Sequence, residues 1–151
     1  QTGIKNFEQV KKEWQFISRD ILEEEKPRYK IVSYLEEKDL KEAMLAADIV
    51  VSRAGAGSIF ELAAVGKPSI LIPLPEAAGN HQTKNAYEYS KAGAAIVIEQ
   101  TNLKTHLFLV QVKKLFDNPE LLQKMSQAAK NFSKPDAAKI LAEEILKLTS
   151  L

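Results

Sequence analysis

The stretch best suited to chemistry is Arg53-Ala54-Gly55-Ala56-Gly57-Ser58-Ile59-Phe60-Glu61. It follows a short apolar run, Asp48-Ile49-Val50-Val51-Ser52, and leads into a segment of helical composition. A strand, a Gly-rich turn and a helix start leave backbone amides aimed at one spot, where the helix dipole adds positive potential. Glycines there permit positive φ and a close approach of ligand to backbone. Such a loop suits a phosphate. It is not a dinucleotide fingerprint, because Phe60 stands where the third glycine belongs, and no Gly-Lys-Ser/Thr follows to make it a P-loop. The same residues have a purely structural account. Ser58 and Glu61 form a Ser-x-x-Glu capping box, and Gly55 and Gly57 shape a tight turn. Arg53 then faces either an anion or water, and Glu61, read as first-turn, either caps or reaches a ligand. Spacing alone leaves both accounts open.

A second loop runs from Pro73 to Asn85. Prolines stiffen its start and Ala77-Ala78-Gly79 loosens its middle. Asn80 is placed to cap the following helix, which sets His81 and Gln82 at that helix start. Both side chains can hydrogen-bond hydroxyl groups, and both also suit a plain polar helix start. His106, beside Leu107 and Phe108, reads as a surface or packing residue. With two histidines far apart and no cysteine, neither a dedicated metal site nor a metal cofactor is expected. No Ser-His-Asp set is indicated. Glu23-Glu24-Glu25 and Glu36-Glu37 read as solvated helix ends.

The loops need elements to hold them. The 151 residues suit one domain of ordinary size, with a formal net charge of +1 and no basic field for nucleic acid. Without cysteine there is no disulfide framework, a usage that fits a cytoplasmic protein. No apolar run reaches the length of a membrane span, and no signal-peptide pattern opens the chain. Phe7, Val10, Trp14, Ile17 and Ile21 recur at helical steps, so an amphipathic helix is expected to end before Pro27. Tyr29, Ile31 and Val32 predict a short strand near 29–34. Leu40, Ala43, Met44 and Ala47 predict a short helix. Buried-type strands are predicted near 48–52 and 69–73, and a further strand near 94–98. Helices are predicted from Ile59 to Val65, stopping at Gly66, and from about Asn80 to Lys91.

Helices fill the rest. One is expected from Lys104 to Phe116, and a second follows with Asn118 as cap and Pro119 in first position. A third is capped by Ser133 and Asp136, with Ile140, Leu141, Ile145 and Leu148 on its apolar side. Alternation of this kind predicts an α/β fold, a Rossmann-like parallel sheet joined by right-handed crossovers with helices on both faces. Ligands of such sheets sit at the carboxyl ends of the strands, hence at the loops after Tyr34, Ser52, Pro73 and Ile98.

These segments resemble the donor-binding part of the MurG-type GT-B glycosyltransferases. The resemblance rests on Ala47 to Ala64 with its Gly55-Ala56-Gly57-Ser58 core, on Gly66-Lys67-Pro68-Ser69-Ile70-Leu71-Ile72-Pro73, on Asn80-His81-Gln82-Thr83-Lys84-Asn85-Ala86, and on Lys91-Ala92-Gly93-Ala94-Ala95. Gln1-Thr2-Gly3 resembles a strand end of the same domain. It implies a two-domain enzyme that moves N-acetylglucosamine from UDP-GlcNAc to the 4-hydroxyl of the MurNAc sugar of lipid I. The product is lipid II, for peptidoglycan. The resemblance further implies that the backbone at Tyr34 and Leu35 meets the uracil, and that Gly57 and Ser58, within the Arg53–Glu61 stretch that also holds Gly55, lie at the phosphates and ribose. Glu61 would accept from the ribose hydroxyls, and His81 and Gln82 would address the sugar, His81 standing where the family more usually has glutamine.

By the same resemblance the chain, residues 1–151, is expected to be a donor-binding part of a longer enzyme. On that expectation it would lack the N-terminal acceptor domain, the first βα unit and its Gly-Ser phosphate loop. The general base of an inverting transfer would lie in the absent half, so this chain alone is expected to be inactive. Lipid I would be met through that half. The parent enzyme would sit peripherally on the inner face of the bacterial plasma membrane. Two other readings stand beside this one. They are a non-catalytic nucleotide-sugar-binding subunit of a split transferase, and another GT-B transferase or a UDP-sugar epimerase.

Overall fold

The computed structural model describes residues 1–75 and 78–149. It divides into two compact units, Gln1–Ala43 and Met44–Leu151. In the first, helix α1 spans Phe7–Ile17 and closes in a 3₁₀ turn at Ser18–Asp20. Its Trp14 ring meets that of Tyr29 with centroids 4.3 Å apart. The strand expected near 29–34 does not form a ladder. Thr2 donates its backbone N–H to the Val32 carbonyl at 3.0 Å. The next ladder bond would use the Thr2 carbonyl, which instead accepts from Asn6 Nδ2 at 3.2 Å, and Leu35 N–H donates to Gln1 Oε1 at 3.1 Å. One backbone bond without a successor leaves the segment extended but unpaired as a strand. Helix α2, Glu37–Ala46, follows as expected.

The second unit holds the sheet. Strands β1 (Val50–Ser52), β2 (Ser69–Leu71) and β3 (Ala95–Val97) pair in parallel in the order β1-β2-β3. Val50 stands opposite Ser69, and Ser69 opposite Ala95. Helix α3 (Ala56–Val65) joins β1 to β2, and α4 (His81–Lys91) lies between β2 and β3. Central β2 is buried at all three residues. β1 was expected to be buried but lies at a sheet edge, and Val51 is 44% exposed. Helix α3 stops where predicted. Gly66 adopts the left-handed conformation (φ 65, ψ 40), and Gly66 and Lys67 return their N–H groups to Ala63 and Leu62.

Strand alternation sorts the core into two layers. Val50, Leu71, Ala95 and Val97 pack with Ile59, Leu62, Ala63, Ala86 and Tyr89 of α3 and α4. Ile49, Ile70, Ile72, Ile96 and Ile98 pack on the other side with Leu107, Val112 and Leu115 of α5 (Thr105–Phe116). Helix α6 (Pro119–Phe132) serves both layers. Its Leu121, Leu122 and Met125 join the second cluster, and its Ala128, Ala129 and Phe132 join the first. Asn118 caps α6 as expected, its Oδ1 accepting from Leu121 N–H at 3.0 Å. Ser133 closes α6 rather than opening the next helix, its N–H donating to Ala129 and Lys130 carbonyls at 3.2 Å. In α7 (Ala137–Thr149) the apolar positions Ile140, Leu141, Ile145 and Leu148 are exposed.

Tyr89 is fully buried, edge-on to Phe132 at 5.0 Å. Its hydroxyl has no hydrogen-bond partner among the described residues. Burial pushes the Tyr89 phenol up from 10.0 to about 12. The unfolded phenol therefore ionises first. Its stabilising contribution is complete below pH 10.0 and is lost as pH rises to about 12. Tyr89→Phe removes an unpaired buried hydroxyl, so at neutral pH urea unfolding should find the variant at least as stable as the parent. Above pH 10 the variant should lose stability less steeply. Equal slopes would mean that Tyr89 ionises alike in both states.

Candidate functional site

Parallel pairing sends the carboxyl ends of β1, β2 and β3 to one side of the second unit. The β1–α3 loop opens α3 three residues earlier than a capping box at Ser58 requires. Gly55 is extended (φ −64, ψ 147), and its carbonyl accepts the first helical bond from Ile59 at 3.0 Å. Ser58 is therefore the third helical residue, and Glu61 lies in the second turn rather than the first. The capping-box account fails because the N-cap position falls on a residue with no side chain. Helix α3 begins with no side-chain cap. The first amides of a helix have no partner within it, so those of Ala56, Gly57 and Ser58 face outward. A methyl group added at Gly57 would meet nothing within 4 Å.

Glu61 follows Gly57 by four residues and Ser58 by three, so the three share one face of α3. Its side chain is exposed, and among the described residues it makes neither a hydrogen bond nor an ion pair. Arg53 lies across the strand ends. Its Nη1 donates to the Ile72 carbonyl at 3.0 Å and to Gln100 Oε1 at 2.6 Å.

Two amide side chains of α4 fix the neighbouring loops. Gln82 Oε1 accepts from Leu74 N–H at 3.0 Å, and Asn85 Nδ2 donates to the Ala54 carbonyl at 3.2 Å. Asn80 precedes α4 in the left-handed conformation (φ 57, ψ 28) and makes no cap bond, contrary to expectation. That backbone places its side chain off the line to the helix amides. His81 is exposed. Glu76 and Ala77 of this loop lie outside the described residues. Beyond β3, the Tyr87 hydroxyl donates to Glu99 Oε1 at 2.8 Å, and that hydrogen bond is the main cause of a raised phenol pKa.

The structure thus brings Arg53, Gly55, Gly57, Ser58, Glu61 and Gln82 to the strand ends of the second unit. Tyr34, exposed, and Leu35, half-buried, belong to the first unit. Asn85 and Gln100 were missed by sequence reasoning. Asn85 sits one helical turn past Gln82, which is a weak signal, and Gln100 had none beyond following a strand. His106 is exposed, as expected. A groove of about 700 Å³ lined by Phe60, Lys124, Phe132 and Lys134 shares no lining residue with this site.

The family model described as glycosyltransferase family 28 C-terminal domain matches residues 1–141. The chain belongs to that family. Among curated relatives, the UDP-N-acetylglucosamine--N-acetylmuramyl-(pentapeptide) pyrophosphoryl-undecaprenol N-acetylglucosamine transferase of Halothermothrix orenii is 40% identical over 141 residues, 93% of this chain and 37% of the relative. The enzyme of the same name from Clostridioides difficile is 43% identical over 123 residues, 82% of this chain and 30% of the relative. The chain spans about a third of the length of the curated relatives it matches. The crystal structure of Acinetobacter baumannii MurG superposes with a TM-score of 0.69 at 30% identity, covering 78% of this chain and 33% of that one. The spinosyn forosaminyltransferase SpnP, at 13% identity and a TM-score of 0.61, shares the fold. The α/β architecture is thus that of a MurG-like GT-B C-terminal domain.

In this family 28 domain the helix start separates two accounts of Ser58. As a cap, its loss would cost about 0.5–2 kcal/mol. Since Gly55 holds the cap position, Ser58→Ala should change unfolding free energy by less than about 0.5 kcal/mol. Denaturant unfolding checks this, and a larger loss would restore the capping box.

Proposed function

We propose that this chain is the UDP-GlcNAc-binding part of an inverting hexosyltransferase that passes N-acetylglucosamine to lipid I and so makes lipid II. The observation that carries this reading is the uncapped start of α3 with the unpaired Glu61 carboxylate on the same face. Free amides and the helix dipole suit the donor diphosphate, with Gly55, Gly57 and Ser58 closest to it. One turn on, a carboxylate suits two vicinal hydroxyls, because each can donate to it. The ribose supplies them. The names of the relatives supply the chemistry of sugar and acceptor.

Other roles follow from donors left free. Gln82 spends its oxygen on Leu74 N–H, so its Nε2 donates to a sugar hydroxyl, beside His81. Departing UDP is stabilised at the helix start, while the base that deprotonates the acceptor lies in a part of the enzyme outside this chain. Lipid I is reached through that part. No described helix is long and apolar enough to cross a membrane, and the reading places the enzyme peripherally on the cytoplasmic face of the bacterial plasma membrane. The chain alone would transfer no sugar to lipid I.

Calorimetric titration of the chain should rank UDP-GlcNAc and UDP above ADP. Glu61→Gln loses a charged acceptor, and hydrogen bonds to charged groups contribute about 1.5–3 kcal/mol each. UDP should then bind roughly tenfold or more weakly, with little change in Tm. A 2′-deoxyuridine nucleotide should already bind the parent weakly and lose little further in the variant. Additive losses would show that Glu61 does not touch that hydroxyl. Equal affinity for ADP and UDP would remove the uridine donor altogether.

A further inference from the structure

Arg53 is exposed, and an exposed arginine ordinarily samples many rotamers. Here one nitrogen of its guanidinium is held from two sides. Nη1 donates to the carbonyl of Ile72, the first residue after β2, at 3.0 Å. It also donates to Oε1 of Gln100, which follows β3, at 2.6 Å. Those two bonds use both hydrogens of Nη1. Three of the five guanidinium donors remain, one on Nε and two on Nη2. Nε and Nη2 form the side edge of the group, with two parallel N–H bonds matched to two oxygens of a phosphate. No acidic side chain pairs with Arg53 among the described residues. The anchoring groups are a carbonyl and a neutral amide, so the full positive charge survives at the strand ends, three residues before the uncapped start of α3.

We propose that Gln100 is a positioning residue: with the Ile72 carbonyl it locks Nη1 of Arg53 and so turns the Nε–Nη2 edge to the diphosphate of the nucleotide donor. This rests on the donor-binding reading above and adds to it a residue that touches no substrate. Glutamine suits the task better than glutamate, because a carboxylate at the same place would orient Arg53 but neutralise it. A lysine in place of Arg53 would keep the charge and lose the parallel pair.

The test titrates UDP, uridine and pyrophosphate into the parent chain, Gln100→Ala, Arg53→Lys and the double variant. Gln100 is exposed, so the fold should stand, and thermal unfolding verifies it. UDP and pyrophosphate should each bind Gln100→Ala roughly three- to tenfold more weakly, while uridine, which has no phosphate, binds it as it binds the parent. In the Arg53→Lys background, removing Gln100 should bring no further loss. Unchanged UDP and pyrophosphate affinities in Gln100→Ala would overturn the proposal, as would an equal loss for uridine. A parent that binds pyrophosphate but shows no preference for UDP overturns the donor reading and leaves the anion edge to be judged on pyrophosphate. A parent that binds none of the three sinks both.

Discussion

Everything at the candidate site depends on parallel pairing around the buried strand β2. Its Ser69, Ile70 and Leu71 are completely enclosed, so both neighbours must align with it and both faces must be covered. Parallel alignment needs a crossover between successive strands, and each crossover here carries a helix. The consequence is directional. Every strand ends on the same side, and every crossover helix begins there with its positive dipole end. No single residue creates this polarity, and no surface substitution removes it.

That arrangement gathers loops but does not hold them still. The holding is done by side chains reaching from one loop to the next. Asn85 of α4 fixes the Ala54 carbonyl in the β1–α3 loop. Gln82 fixes the Leu74 amide after β2. Arg53 reaches from β1 over the end of β2 to Gln100 beyond β3. Each bond taken singly contributes on the order of 1 kcal/mol. Their value lies in geometry, since a loop that arrives ordered loses less entropy when a ligand binds. Helix α6 adds to this rigidity from the far side by packing into both core layers.

Much of this was legible from periodicity. The second unit's strands and helices fall within a few residues of their predicted bounds because each is a short apolar run or a regular helical face, closed by Gly66, Asn118 or Pro119. Of the features that were not legible, three have distinct physical reasons. Near 29–34 the composition favours a strand, but composition cannot supply a neighbour, and the Asn6 side chain takes the Thr2 carbonyl that would continue the pairing. Ser58 and Glu61 match the capping pattern, yet Gly55 adopts extended geometry and starts the helix first. Gln100 has no pattern at all. Its partner is 47 residues away in sequence, and only the folded sheet brings them within 2.6 Å. Local rules read local bonds, and the site is built largely of non-local ones.

The uncapped start of α3 is the clearest case of stability yielding to use. Ser, Thr, Asp or Asn at the N-cap would satisfy an amide of the first turn, with a gain over glycine of a few tenths of a kcal/mol. A side chain would fit at Gly55, where the nearest atom to an added Cβ is Ser58 Oγ at 4.0 Å. Sterics therefore do not demand the glycine, and neither does its φ of −64, which any residue adopts. What a capping side chain would take away is access, because its oxygen would occupy the amides that an incoming anion needs. A helix left open by a residue that need not be glycine, beside an arginine held by neutral partners, is the arrangement that the proposed phosphate site requires.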